Sequence, residues 1–424
     1  MENKHSSTIT CGFCGKEEGE EVSLVKGKEA NICEDCITVV TDIFNSSDKT
    51  GEGTKKEKNS KKIITPQTIL EHLDSHIIKQ DQAKKTVATA IYNHYKRIHL
   101  KNDNIKKSDI LISGPSGCGK TTIVSTVAKI LDIPLVIVDA TKLTQTGYVG
   151  ADVDGILTQL YLEAEGDLEK AQNGIVFIDE MDKILQSQSG NSLDIGGSSV
   201  QRELLKVIEG GTFHVSKSLN KRSEREDDPI KFNTSNNLFI CSGAFEGIYD
   251  IIKERLNIKR SIGFNTKQKD FESDDYSLIS YAEDEDFIKY GFLKEIIGRI
   301  PIKTFVNKLE KDDLVTIIKT SKESPIPGYK DLLSYDNIDL EITDDAIDFI
   351  ATKAFEKNTG ARGIRSVFEN RLLDVMFDAP MLSQQKGVSK ITINNDYISG
   401  KSKKPLYSMK NKESGLKKKT EAKI

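Results

Sequence analysis

The stretch of sequence that decides the fold reads Gly114-Pro115-Ser116-Gly117-Cys118-Gly119-Lys120-Thr121. It matches the phosphate-binding loop pattern G-x-x-x-x-G-K-[ST], in which flexible glycines let backbone N–H groups converge on phosphate oxygens. The helix that follows presents the positive end of its dipole to the same anion. The Lys120 ammonium would reach the terminal phosphates, and the Thr121 hydroxyl would ligate Mg²⁺. The loop therefore predicts a nucleoside triphosphate site that uses Mg²⁺.

The segments on either side of this loop have the patterns of a buried strand and an amphipathic helix. Residues 108–113 form an apolar run before the loop, and Ile123, Val127 and Ile130 then fall on one face of a helix. Further apolar runs of strand length occur at 135–139, 174–179 and 238–241. Strands that alternate with helices predict an α/β fold, in which helices cover both faces of a parallel sheet.

An acidic pair, Asp179-Glu180, ends one of these predicted strands. Alone, such a pair is more often a helix cap. The phosphate-binding loop about sixty residues upstream favours a catalytic interpretation, in which Asp179 holds Mg²⁺ through water and Glu180 polarises the attacking water.

Four of the six cysteines cluster near the start of the chain. Cys11, Cys14, Cys33 and Cys36 have the spacing C-x₂-C, eighteen residues, C-x₂-C, which is typical of tetrahedral zinc. So short a segment with few apolar side chains needs the metal in order to fold. The alternative is four free thiols. The isolated Cys118 and Cys241 are interpreted as small packing residues.

Composition indicates a globular protein of two or three domains. The 424 residues are 37% hydrophobic and 30% charged, and the net charge of -4 argues neither for nor against nucleic acid. No run of 18 apolar residues occurs, and the start of the chain lacks the apolar core of a signal peptide. We therefore expect a cytoplasmic protein that does not enter membranes.

Changes in composition divide the chain into five predicted parts. Residues 1–45 form the zinc domain, and 46–62, rich in Ser, Gly, Lys and Glu, form a flexible linker. Residues 63–310 form the large α/β domain and 311–397 a small helical domain, which includes amphipathic helices from 344 and over 361–377. Residues 398–424 read as a basic, disordered tail.

The most telling short element is Gly147-Tyr148-Val149-Gly150, in a predicted loop. Alone, it fits a turn with a buried Tyr. Together with the other motifs, over residues 9–397, the order of elements resembles the ClpX family of AAA+ ATPases. The later motifs that carry this resemblance are Ile262-Gly263-Phe264, the run 295–301 around Arg299, and Gly360-Ala361-Arg362-Gly363.

The resemblance implies roles for matching positions. Tyr148 and Val149 would lie on an axial pore loop that grips unfolded polypeptide. Arg299 would be an arginine finger that reaches the ATP of the next subunit, and Arg362 a second arginine that the small domain brings to the phosphates. Ile262, Gly263 and Phe264 would dock on a ClpP-type peptidase.

The same resemblance implies that Thr122 and Ile78 also bind the nucleotide. It implies that Ile77 and Tyr92 line the adenine pocket together with Ile78. It implies a homo-hexamer that uses ATP, Mg²⁺ and Zn²⁺ to unfold protein substrates, some of them brought by adaptors, for a peptidase. Two alternatives remain open, namely a stand-alone remodelling chaperone and a zinc-ribbon motor acting on nucleic acid. Nucleic acid is the less expected partner, since no aromatic and basic surface is apparent.

The chain departs from the family pattern in three places. Where the family has Val-Ile-Gly-Gln, this chain has Ile77-Ile78-Lys79-Gln80, and a positive φ at this position would strain Lys79. The family's Arg-Lys-His entrance loop is replaced by residues 220–225, and the second pore loop at 194–199 lacks the family's acidic residue. We therefore expect intact catalysis with altered substrate preference.

Overall fold

The structure is a computed structural model that describes residues 10–17, 23–27, 30–37, 64–100, 104–143, 153–185, 195–216, 229–261 and 276–409. It divides into two compact units, Met1–Ile63 and Ile64–Ile424. The predicted linker 46–62 lies outside the described residues.

The first unit is built around short backbone turns. Strands β1 (Leu24–Lys26) and β2 (Asn31–Cys33) pair antiparallel. Before them, a bridge joins Thr10 to Glu17, and the Cys11 N–H donates to the carbonyl of Lys16 at 2.8 Å. A helical turn begins directly after Cys33.

A five-stranded parallel sheet organises the second unit. Its strands are β3 (Ile110–Ser113), β4 (Leu135–Asp139), β5 (Ile175–Asp179), β8 (Leu238–Gly243) and β9 (Ile302–Phe305). Their order across the sheet is β4-β5-β8-β3-β9, and every pair is parallel. The predicted parallel sheet is thus confirmed.

Alternation of side chains along the central strands gives the sheet two apolar faces. In β3, Ile110 and Ile112 belong to one core cluster, whereas Leu111 belongs to the cluster on the other face. All three side chains are fully buried. This is the pattern expected when helices cover both faces of a parallel sheet.

The remaining elements up to β9 surround this sheet. The helices are α1 (Pro66–His76), α2 (Asp81–Leu100), α3 (Lys120–Leu131), α4 (Val153–Glu163), α5 (Leu168–Gln172), α6 (Ile195–Glu209), α7 (Ile248–Ser261), α8 (Asp284–Tyr290) and α9 (Lys294–Arg299). Short 3-10 turns lie at Ala140–Lys142, Met181–Ile184 and Tyr276–Tyr281. An antiparallel hairpin joins β6 (Thr212–Val215) to β7 (Ile230–Asn233).

The last part of the second unit combines helices with a small sheet. Its helices are α10 (Lys311–Thr320), α11 (Ile326–Tyr335), α12 (Asp344–Glu356), α13 (Ala361–Lys386) and α14 (Asn395–Ser399). Its sheet has the order β10-β11-β12, from β10 (Asp339–Ile342), β11 (Val388–Ile393) and β12 (Leu406–Met409). The prediction of helices alone missed this sheet.

The start predicted for the disordered tail, residue 398, is wrong. Residues 398 and 399 end α14, and β12 pairs antiparallel with β11 as far as Met409. The main-chain hydrogen bonds of this pairing order a segment whose Lys-rich composition had suggested a solvated tail. Residues 410–424 lie outside the described residues.

Among the described residues, no helix combines the length and the apolar character that crossing a membrane requires.

Candidate nucleotide and zinc sites

The phosphate-binding loop follows the carboxyl end of β3, an interior strand of the sheet. Gly114 has φ +132°, and a Cβ there would lie 2.3 Å from the carbonyl oxygen of Val306. Gly117 has φ +73°, and a Cβ there would lie 2.2 Å from the carbonyl oxygen of Thr359. Both glycines are therefore required by the close approach of neighbouring backbone. The loop opens α3, so the helix N-terminus faces the space above it.

Lys120 is buried and folded back onto this loop. Its ammonium donates to the carbonyl oxygens of Gly114 at 2.7 Å and Pro115 at 3.0 Å. Burial lowers the pKa of Lys120, and the nearby Asp179 carboxylate opposes that shift. A terminal phosphate would offer this ammonium the anionic partner that the two neutral carbonyls lack.

Asp179, at the carboxyl end of β5, connects this strand to α3 and β8. The Thr121 hydroxyl donates to its Oδ2 at 3.2 Å, and the Ser242 hydroxyl donates to its Oδ1. These oxygens are the hard ligands that Mg²⁺ prefers. Thr121 and Asp179 together fit a magnesium ion held beside the phosphates.

Glu180 lies at the exposed end of β5. Its backbone is left-handed, with φ 57°, and its N–H donates to Asp179 Oδ1 at 2.9 Å. This turn separates the two carboxylates, because Asp179 bonds inward to hydroxyls while Glu180 is exposed and lines the cavity above the loop. The position suits a group that contacts water.

The small helical part of the second unit reaches the same loop. The Ala361 N–H donates to the carbonyl of Gly117 at 3.0 Å, and Arg362 Nη1 donates to Ser116 Oγ at 3.3 Å. The start of α13 thus lies against the phosphate-binding loop, with Arg362 beside Ser116.

Arg299 lies elsewhere on this unit. It ends α9, and its guanidinium donates to Glu209 Oε1 from Nε at 3.2 Å and from Nη2 at 2.9 Å. It is not among the described residues that line the cavities at the loop. In this chain, then, Arg299 does not share a cavity with Lys120.

Two adjoining cavities meet at the phosphate-binding loop. One, of about 300 Å³, is lined by polar groups that include Lys120, Asp179 and Glu180. The other, of about 520 Å³, is lined by apolar groups that include Ile77 and Ile78. The residues common to both are Gly117, Gly119, Thr122, Ala361 and Arg362. A polar chamber joined to an apolar one fits the phosphates and the base of a nucleotide.

The expectation for Tyr92 is not met, because Tyr92 is not among the described residues that line the apolar cavity. It packs partly buried against the core, with the Lys96 ammonium 5.9 Å from its ring centre. Tyr92 lies on α2, whereas Ile77 and Ile78 directly follow α1, and we therefore interpret Tyr92 as a packing residue.

Tyr148 and Val149, and likewise Ile262, Gly263 and Phe264, lie outside the described residues. The roles predicted for them stay predictions.

The four clustered cysteines of the first unit converge. The Sγ atoms of Cys11, Cys14, Cys33 and Cys36 all lie within 4.8 Å of one another, and those of Cys14 and Cys33 are 3.5 Å apart. Four thiolate sulfurs bound about 2.3 Å from one zinc ion would have sulfur–sulfur distances of about 4 Å, so the four Sγ atoms fit a zinc site. The Cys33 N–H donates to Cys11 Sγ at 3.3 Å, a bond that favours the thiolate.

Family models match three successive parts of the chain. They are the ClpX C4-type zinc finger over residues 9–46, the AAA domain (Cdc48 subfamily) over 105–303, and the C-terminal, D2-small domain of ClpB protein over 309–393. A Treponema denticola protein named ATP-dependent Clp protease ATP-binding subunit ClpX is 40% identical over 411 residues, which are 95% of this chain and 97% of that protein. The chain belongs to the ClpX family.

Two further ClpX proteins are similarly close. Those of Borrelia duttonii and Bacteroides thetaiotaomicron are each 39% identical, over 93% and 91% of this chain and 92% and 94% of those proteins. Membership of the ClpX family makes this chain an AAA ATPase, as predicted. The ClpX zinc-finger model spans all four cysteines and supports zinc as their metal.

Sequence reasoning missed two side chains at the ClpX nucleotide site. Ser242, fully buried at the end of β8, bonds to Asp179. Asp182, almost fully buried, accepts the Ala244 N–H at 3.2 Å and pairs with Lys183 at 3.3 Å. A polar residue directly after the predicted strand 238–241 was the available signal for Ser242, because parallel strands end at a common edge.

Proposed function

We propose that this chain is an ATP-dependent protein unfoldase that assembles as a hexamer and delivers unfolded substrates to a ClpP-type peptidase. The observation that carries the proposal is the contact of Ala361 and Arg362 with the phosphate-binding loop. It brings the small helical part to the nucleotide site. A change at the phosphates can therefore alter the arrangement of two parts of the chain.

At the site, Lys120 and Arg362 would bind the phosphates, and Glu180 would accept a proton from the attacking water. Thr121 and Asp179 would hold Mg²⁺, which neutralises charge on the transferred phosphoryl group. Ser242 would orient the Asp179 carboxylate. Ile78, which lines the apolar cavity, would contact the base, and Thr122, which lines both cavities, would contact the phosphates.

Arg299 would complete the site of a neighbouring subunit. Its exposed position, outside the cavity of its own chain, supports a role in trans. An active site built from two chains would make hydrolysis depend on ring assembly.

The domain boundaries remain part of this proposal. A large domain over 63–310 and a small domain from 311 would rotate relative to each other during the ATP cycle. Tyr148 and Val149 would then pull polypeptide through the pore, and local opening of a marginally stable substrate would allow its unfolding. The zinc domain over 1–45 would dimerise and recruit substrates or adaptors.

Delivery to a peptidase is proposed from the relatives, which are named as subunits of an ATP-dependent Clp protease, and from Ile262-Gly263-Phe264. An apolar pair around a glycine is suited to act as a small anchor in a pocket of a partner.

We expect this chain, with a ClpP-type peptidase and ATP, to degrade a fluorescent protein that carries an unstructured tag. Phe264→Ala should abolish peptide release and leave ATP hydrolysis within about twofold of the wild type, because a docking anchor takes no part in the hydrolysis step. The measurement follows released peptides and phosphate in the same sample.

Phe377→Ala is the matched control, since Phe377 is an exposed phenylalanine of α13, with 86% of its surface accessible. It should leave degradation unchanged. Loss of fluorescence without peptide release, whatever residue occupies position 264, would instead favour the stand-alone chaperone.

A further inference from the structure

The connection between β9 and α10 links the two parts that meet at the nucleotide. Leu309, within it, lines the apolar cavity, as do Ile77 and Ile78 at the end of α1. Lys79 and Gln80 directly follow Ile78 in the chain, and both have φ 64°. Two successive non-glycine residues in the left-handed region are unfavourable unless other contacts hold them.

Gln80 holds the connection from one side. Its side chain is buried, its Nε2 donates to the Asn307 carbonyl at 2.8 Å, and its Oε1 accepts the Asn307 N–H at 2.7 Å. One amide thus satisfies both backbone groups of a residue in the connection.

Lys79 extends the contact to the small helical part. Its ammonium donates to Asp313 Oδ2 at 2.8 Å and to the Lys308 carbonyl at 3.3 Å. Asp313 lies in the first turn of α10, where the same Oδ2 also accepts the Glu310 N–H. The side chains of Lys79 and Asp313 are 34% and 21% exposed, so the pair is only partly screened by solvent.

A glycine would adopt this backbone at no steric cost, and it would make no ion pair. The lysine accepts an unfavourable conformation and gains a charged contact across the connection. In the structure that contains this ion pair, Arg362 also reaches Ser116.

We propose that Lys79 is a positioning residue, whose ion pair with Asp313 fixes the connection 306–310 in the arrangement that brings Arg362 to the phosphate-binding loop. The ion pair therefore raises the affinity for nucleotide without touching it. This inference rests on the proposed nucleotide site and is independent of the pore and of the peptidase.

Four variants are compared with the wild type: Lys79→Met, Asp313→Asn, the double variant that combines these two changes, and Asp312→Asn. The last is a matched control, because Asp312 is an exposed neighbour in the same helical turn and loses the same charge. Binding of a fluorescent ADP analogue is measured at low salt and at high salt.

Each single variant should bind the analogue about threefold more weakly than the wild type at low salt, as expected for a partly exposed ion pair. The double variant should lose no more than either single one, because the two changes remove one interaction. The ratio of wild-type to variant affinity should approach one at high salt.

A second readout needs no nucleotide. Amide hydrogen exchange of residues 306–309 in the nucleotide-free protein should be about threefold faster in Lys79→Met and unchanged in Asp312→Asn. Additive losses, a salt-independent ratio, or equal effects in Asp312→Asn would overturn the proposal. A wild-type protein that bound no nucleotide would instead refute the nucleotide site, and the exchange measurement would still judge the ion pair.

Discussion

Glu180→Gln should lower the rate of ATP hydrolysis by about 100-fold or more, while nucleotide binding persists. Glutamine has the same shape but cannot accept a proton from water. The bonds that Asp179 makes to Thr121 and Ser242 would remain, so the site should still hold the phosphates. Phosphate release measures turnover, and binding of a fluorescent ATP analogue measures affinity.

Glu246→Gln is the matched control for this change. Glu246 lines the same cavity, so its replacement removes the same charge from the same place. We expect turnover to stay within about threefold of the wild type, because a general base acts only in reach of the attacking water. Equal losses in both variants would mean that net charge, and not proton transfer, explains the effect.

Mixing extends the test to Arg299. Arg299→Ala alone should hydrolyse ATP about 10³-fold more slowly than the wild type. In equal mixtures with Glu180→Gln, about a quarter of the sites would regain both groups from different subunits, because each site would be shared by neighbours. No recovery in mixed assemblies would contradict a finger that acts in trans.

Loss of zinc should unfold the first unit. In Cys14→Ser, zinc per chain should fall below one, and amide exchange over residues 10–37 should approach that of an unfolded chain. Structural zinc contributes about 10–16 kcal/mol of apparent binding free energy in small domains, and the described strands of this unit are only three residues long. Elemental analysis and hydrogen exchange are the two measurements.

Cys241→Ala is the control for the zinc test. Cys241 is fully buried in the sheet, where burial raises the pKa of its thiol and so keeps it neutral. The variant should keep its zinc, and ATP hydrolysis should persist in Cys14→Ser because the second unit has its own core. Full zinc content in Cys14→Ser would contradict the four-cysteine site.

The nucleotide site could be predicted largely from the sequence because its pattern is local. Gly114, Gly119, Lys120 and Thr121 are the residue types that the phosphate-binding pattern requires, and α3 begins at Lys120, within this loop. Strand β4 matches its predicted bounds, because a short apolar run that ends in a polar residue is typical of a strand in a parallel sheet.

What the sequence did not reveal depends on contacts between distant residues. Ser242 meets Asp179 only because β8 lies beside β5, an order that periodicity does not encode. The small sheet was missed because β10 is four residues long and carries two acidic side chains. The Lys79–Asp313 pair joins residues 234 positions apart, so a strained lysine was expected but its partner was not.

ATP-dependent unfolding is tested most directly by the fluorescence of a stable, tagged fluorescent protein in the presence of this chain, ATP and a trap that prevents refolding. We expect fluorescence to fall only with ATP, Glu180→Gln to stop the loss and Tyr148→Ala to slow it. Tyr335→Ala, at a side chain that is 91% exposed, should leave the loss unchanged. ATP hydrolysis at an undiminished rate with constant fluorescence for every tag would contradict an unfoldase.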